Sequence, residues 1–236
     1  MLFRQLFDEE SYTYTYLIAD TDVGSAILVD PVLAQVERDL KLLQELDLTL
    51  THCLETHVHA DHITGTAQLR AKTGCAGVVP AQAQVSCANR HIDNGEILTI
   101  GSVAVAAIAT PGHTDSHMAY LVSNNNAPDY VLTGDALFIR GCGRTDFQSG
   151  DAGTLYDSVT QRLFILPERT RVYPAHDYRG YTVSTIGEEK RWNPRFVGRS
   201  RENYIDFMNN LSLPNPKKMM EAVPANEDCG RKAIAV

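Results

Sequence analysis

The run Thr56-His57-Val58-His59-Ala60-Asp61-His62 places three imidazoles and one carboxylate within seven residues, directly after an apolar segment. Imidazole and carboxylate are the usual ligands of zinc, iron and manganese. Without a cation, such a cluster would leave several partly buried polar groups without partners. Three later motifs fall at places where strands should end: His113 in Pro111-Gly112-His113-Thr114, Asp135 in Thr133-Gly134-Asp135, and His176 in Tyr173-Pro174-Ala175-His176-Asp177. Taken singly, His113 would read as a hydrogen-bonded structural histidine and Asp135 as a turn or cap residue. Together the four point to one metal site. Residue types alone leave the ion open. Zinc suits a tetrahedral site of His57, His59 and His113, whereas two imidazoles and a carboxylate suit iron with positions left for dioxygen.

Elements able to position these residues are legible in the hydrophobic pattern. The first thirty residues alternate in the manner of a β-meander, with Tyr12 to Ile18 and then Ala26 to Val29 stopped by Asp30-Pro31. Apolar positions Val32, Leu33, Val36, Leu40, Leu43 and Leu46 recur at helical spacing. A short strand from Leu48 to Leu54 then delivers the His-rich loop, and Thr64 to Lys72 forms a helix closed by Gly74. Ile97 to Ile100 and Val103 to Ile108 form a hairpin across Gly101-Ser102. A second strand pair, His117 to Val122 and Tyr130 to Leu132, flanks the polar turn Asn124-Asn125-Asn126. Thr154 to Leu166 is helical and stopped by Pro167, and Arg171 to Tyr173 is a short strand. A helix around Ser200 to Asn210 precedes a Pro-rich tail beyond Leu213. Strand groups in each half, each followed by helices, predict an α+β fold of two face-to-face sheets with helices outside. Loops at one rim gather the site.

The chain has 236 residues and a formal net charge of -8, which suits one compact domain and argues against a nucleic-acid partner. No apolar run reaches membrane-spanning length, and the N-terminus turns acidic too soon for a signal peptide. The chain therefore reads as soluble, unprocessed and cytoplasmic. Five Cys, an odd number without CxxC spacing, read as reduced thiols in a cytosol-like compartment. Cys142, between Gly141 and Gly143, reads as part of a tight backbone turn without a catalytic role, and Cys229 as structural or incidental.

The order and spacing of T-H-x-H-x-D-H, P-G-H-T, T-G-D and a final His resemble the metallo-β-lactamase superfamily over essentially the whole chain. Within it, three segments look like those of the persulfide dioxygenases (sulfur dioxygenases): Gly141-Cys142-Gly143-Arg144-Thr145-Asp146-Phe147-Gln148, Tyr173-Pro174-Ala175-His176-Asp177-Tyr178, and Thr182-Val183-Ser184-Thr185. The resemblance implies an αββα sandwich of two mixed β-sheets flanked by helices. It also implies one domain over 1–236 with a short helical and Pro-rich extension from about 182. A single Fe(II) per chain would be held by His57, His113 and Asp135. His59, Asp61, His62 and His176 would be partners that orient the ligands, or remnants of a second metal site. The implied reaction oxidises glutathione persulfide with O₂ to sulfite and glutathione. Arg144, whose planar fork can answer a glutathione carboxylate, and Tyr178, two residues after His176, are the candidate substrate residues. The alternatives are a glyoxalase II-like, zinc- or dimetal-dependent hydrolase of glutathione thioesters, and a metal or persulfide binder without activity. The sequence does not reveal the oligomeric state and is compatible with a homodimer.

Overall fold

Strand β2 (Thr13–Asp20) shows how the sequence builds the layers, because all eight of its residues are buried. Tyr14, Tyr16 and Ile18 join the core between the sheets, while Leu17 and Ala19 join a separate core on the other face. Side chains of a strand alternate sides, so a strand covered on both faces must lie inside a stack of layers. The computed structural model describes residues 1–124, 127–214 and 218–231.

The first sheet runs β1 (Leu2–Asp8), β2, β3 (Ser25–Val29), β4 (Thr49–Leu54), β5 (Ala76–Pro80), β6 (Arg90–Ile92). Its first three strands form the antiparallel meander; β3 to β6 are parallel. The second sheet runs β12 (Ser184–Thr185), β11 (Arg171–Pro174), β10 (Ala127–Gly134), β9 (Met118–Asn124), β8 (Val103–Ala109), β7 (Ile97–Ile100), and only β10–β11 is parallel. Ile18, Ile27, Leu54, Val105, Tyr120 and Leu132 meet between the sheets. Helices α1 (Val36–Glu45) and α2 (Thr66–Thr73) cover the first sheet through Val36, Leu43 and Leu69. Helices α3 (Ala152–Ser158), α4 (Ile186–Trp192) and α5 (Arg201–Asn209) cover the second through Leu155, Ile186, Tyr204 and Met208. The expected αββα sandwich of two mixed sheets is the fold.

Differences from the sequence reading are local. The helix expected over 154–166 begins at Ala152, where Asp151 caps the Thr154 N–H, and loosens into a π-helical turn over Val159–Leu163. Strands β5, β6 and β12 and helix α4 are too short to produce a period of their own. Beyond Leu213 the chain is not simply a Pro-rich tail: α6 (Met219–Glu227) follows and accommodates Pro224 within it. Of the expected polar turn, Asn125 and Asn126 lie outside the described residues, as do 215–217 of the tail. The expectation of five reduced thiols is corrected at one pair, because Cys87 and Cys229 form a disulfide across a separation of 142 residues. Local sequence carries no signal for a pairing so distant. Cys53, Cys75 and Cys142 are free and buried. Among the described residues, no helix is long and apolar enough to cross a membrane.

Candidate metal centre

All four predicted motifs meet at one rim of the sandwich. The His-rich loop follows β4, His113 follows β8, Asp135 follows β10, and His176 follows β11. The backbone joins these ends directly. Met118 N–H donates to Thr56 O at 2.8 Å, Ala175 N–H to Gly134 O at 3.0 Å, and Tyr14 N–H to Ala175 O at 2.7 Å.

His57, His113 and Asp135 each offer a ligand atom within 4.8 Å of the other two. Their remaining polar atoms are tied down behind them. Asp30, at the end of β3 with φ +51, accepts the Thr56 N–H at 2.7 Å and the Thr56 hydroxyl at 2.9 Å. With its only proton spent on Asp30, Thr56 Oγ1 accepts from His57 Nδ1 at 2.9 Å, which leaves the Nε2 lone pair of His57 free. His113 Nδ1 donates to the Arg144 carbonyl at 2.7 Å, with the same result, and its Nε2 lies 3.5 Å from Asp135 Oδ2. Asp135 N–H donates to His117 Nε2 at 2.9 Å, so His117 must donate through Nδ1 to Thr110 Oγ1 at 2.8 Å. Burial, reinforced by neighbouring imidazoles, pushes His57 well below the usual histidine range and His117 down to about 3. Burial also lowers His113. Neutral imidazoles with one lone pair free, beside a carboxylate held below its usual range by His176 despite burial, fit a divalent cation.

The second group, His59, Asp61, His62 and His176, also converges within 4.8 Å, but it satisfies much of itself. Asp61 Oδ2 accepts from His176 Nε2 at 2.9 Å, from His62 Nδ1 at 2.9 Å and from Thr13 Oγ1 at 3.1 Å. His176 Nδ1 donates to Asp135 Oδ1 at 2.6 Å, so His176 bridges two carboxylates. Against the effect of burial, Asp135 and Asp61 raise His176 well above the usual histidine range. His59 Nε2 lies 3.1 Å from Asp30 Oδ1, and this contact opposes burial to lift His59 to about 9. His59 Nδ1 and His62 Nε2 are buried without a hydrogen-bond partner.

The candidate substrate residues sit at the mouth. Arg144 has its fork filled: Nε and Nη2 donate to Asp146 at 2.5 and 2.6 Å, and Nη1 to Pro214 O at 2.7 Å, with the guanidinium over Phe147. Its carbonyl, not its charge, touches the centre. Tyr178 is 61% exposed, and its ring lies parallel to that of His176 with centroids 6.2 Å apart. Cys142 points away from the site to the Tyr204 hydroxyl at 3.3 Å, and burial pushes its thiol up to about 11. Its neighbour Gly143 is required by space: a Cβ there would come within 2.7 Å of His113 Nδ1 and 2.5 Å of Asp135 O. The loop around it is braced by α4. Glu189 accepts from Arg140 N and Nη1, and Asn193 Nδ2 donates to Gly141 O at 3.0 Å. Asp30, His117, Thr13 and Asn193 are the working residues that the sequence reading passed over. Asp30 reads there as a strand stop and His117 as a strand start.

The family model described as the metallo-beta-lactamase superfamily matches residues 8–176. The persulfide dioxygenase ETHE1, mitochondrial, of Mus musculus is 46% identical over 231 residues, covering 98% of this chain and 89% of its own. The chain belongs to the persulfide dioxygenase family of that superfamily. Membership makes it an oxidoreductase. The crystal structure of ETHE1 from Myxococcus xanthus superposes with a TM-score of 0.94 at 55% identity, covering 98% of this chain and all of that one. A hydroxyacylglutathione hydrolase of Rhodospirillum rubrum is 36% identical over 170 residues, 71% of this chain and 63% of its own. Its likeness to this persulfide dioxygenase family member thus stops short of both full lengths.

Proposed function

We propose that the chain oxidises glutathione persulfide with O₂ to sulfite and glutathione, using one Fe(II) per chain held by His57, His113 and Asp135. The observation that carries this reading is the division of labour between the two groups. The triad keeps its ligand atoms free, while Asp61 and His176 are spent on each other and on Asp135. A ferrous ion would supply the redox chemistry with dioxygen that no side chain of this site supplies.

The chain's own residues do the rest. Asp30 through Thr56, and Arg144 through its carbonyl, fix the tautomers and ring orientations of His57 and His113. His176, a cation between Asp61 and Asp135, holds a proton at Nδ1 against the Asp135 carboxylate and balances charge where a second metal would otherwise sit. Arg144 meets a carboxylate of glutathione by exchanging it for Asp146, and Tyr178 presents its phenol at the rim. In this reading 1–236 is one domain, and 182–236 is an extension that braces the site through Glu189 and Asn193. Cytoplasmic residence belongs to the same proposal, supported by the three free thiols; a disulfide in such a compartment is usually a labile or sensing one.

A second reading, dimetal hydrolysis of a glutathione thioester, is favoured by His59 Nδ1 and His62 Nε2, which are buried without partners. One experiment separates the two. Protein purified and loaded anaerobically should carry one iron per chain and consume O₂ only with glutathione persulfide. Two metals per chain with thioester cleavage under nitrogen would replace the first reading with the second.

A further inference from the structure

We infer that Asn226, on the C-terminal helix α6, is a positioning residue for the metal-binding loop, and that the Cys87–Cys229 disulfide is the tether that keeps it there. The inference rests on the reading of His57 to His62 as the metal loop. Asn226 is 5% exposed. Its Nδ2 donates to the carbonyls of His59 and His62, both at 2.8 Å, and its Oδ1 accepts the Thr64 N–H at 2.8 Å. The amide orientation is fixed by its partners, since only oxygen can take an N–H and only nitrogen can serve two carbonyls. One side chain from more than 160 residues away thus satisfies three backbone groups of a loop that belongs to no strand or helix. Upstream in the same loop, Gln148 Nε2 donates to Val58 O at 2.9 Å.

Helix α6 is held close where its chain leaves it. Ala67 N–H donates to Cys229 O at 3.2 Å, and a Cβ on Gly230 would come within 2.4 Å of Thr64 O. Cys229 is bonded to Cys87 on the turn between β5 and β6, and the disulfide packs among Val79, Ala83, Val85 and Val58. Val58 separates His57 from His59. The tether therefore rests on the metal loop and also fastens the helix that carries Asn226.

The test uses the full chain in two forms. In metal-free protein, amide hydrogen exchange of residues 57–64 is read; in metal-loaded protein, the rate at which a chelator strips the ion. Asn226→Ala should speed Thr64 exchange by at least about tenfold and metal release by about 10–100-fold, while β9 amides keep their protection. Dithiothreitol gives two electrons and two protons to the disulfide, leaves Cys87 and Cys229 as thiols, and departs as its own cyclic disulfide. That treatment, and Cys87→Ser, should move both readings the same way by a smaller factor. Faster Thr64 exchange with unchanged metal release would reduce Asn226 to a purely structural residue. Unchanged readings on reduction and in Cys87→Ser, or five titratable thiols in the unreduced denatured chain, would overturn the tether. Should Asn226→Ala fail to fold, Asn226→Asp keeps the acceptor and loses both donors. It should then retain Thr64 protection yet release metal faster, and unchanged release would end the proposal. Exchange in the metal-free chain is read without substrate, so its outcome stands apart from whether persulfide is oxidised.

Discussion

Two groups of histidines and aspartates share one rim and one loop, yet they spend their polar atoms in opposite ways. His57, His113 and Asp135 are held from behind, by a threonine hydroxyl, a carbonyl and an imidazole, and their lone pairs face each other. His176, Asp61 and His62 are held by one another. The difference teaches that residue type does not define a ligand. What defines it is whether the atoms behind it leave it neutral, oriented and free. A buried cation such as His176, between two carboxylates, can occupy the electrostatic role that a metal fills elsewhere.

The largest break in this comparison is Asp135→Asn. Losing the only carboxylate of the triad should lower metal affinity beyond the roughly 10–100-fold typical of an outlying partner, with metal content of the dialysed protein as the readout. Asp61→Ala should leave close to one metal per chain while slowing persulfide-dependent O₂ uptake by about 10–100-fold, because His176 loses one of its two anions. A fall from two metals to one would instead make the second group a true ion site. Arg144→Ala should raise the substrate KM by about tenfold, the worth of one charge-assisted pair, and leave metal content alone. Unchanged steady-state kinetics would remove it from substrate binding.

A smaller effect separates the groups by pH. His117 has a folded value near 3, below its unfolded one, so its contribution to stability is present above about 6.5 and is lost as pH falls toward 3. His176 is raised, so its contribution is full below about 6.5 and is lost only as pH climbs through its elevated folded value. Nitrogen-15 spectra of the metal-free protein should show His117 neutral at pH 5, and His176 more fully doubly protonated than a free imidazole at pH 6.5. His117→Ala, which leaves the Asp135 N–H unpaired, should cost about 1–3 kcal/mol in urea unfolding at pH 7. The least effect is expected from Cys142→Ala. Its thiol lies in the outer core, and O₂ uptake should stay within about twofold of the parent while stability falls by about 1 kcal/mol.

Much of this was legible because the candidate ligands sit at chain positions with strong punctuation. The Thr56 to His62 run follows an apolar strand, and His113, Asp135 and His176 each follow Gly or Ala at a strand end. Period-two alternation in Tyr12 to Ile18 and the hairpin over Ile97 to Ile108 likewise survive in the fold. What stayed hidden depends on long-range pairing. Asp30 reads as a strand stop and becomes a clamp only when β3 lies beside β4. His117 reads as the start of a strand and becomes a partner of Asp135 only when β9 pairs with β10 and brings the two strand ends side by side. α4 is a short helix of seven residues, α6 contains a proline, and neither gives a clear period, although Glu189 and Asn226 lie on them and Asn193 caps the end of α4. In the sequence Arg144 stands out for the charge of its side chain, whereas the structure uses its carbonyl on His113.

The rim draws on residues from Thr13 in the first hairpin to His176 after β11, and Asn226 adds a late segment to the same loop. During synthesis, the His-rich run leaves the ribosome long before His113, Asp135 or His176 has been made. A nascent chain can offer a passing cation only fragments of the donor set. If His57, His113 and Asp135 hold the ion as proposed, full coordination has to wait for the second sheet to close, and the last strands made decide when the pocket is complete.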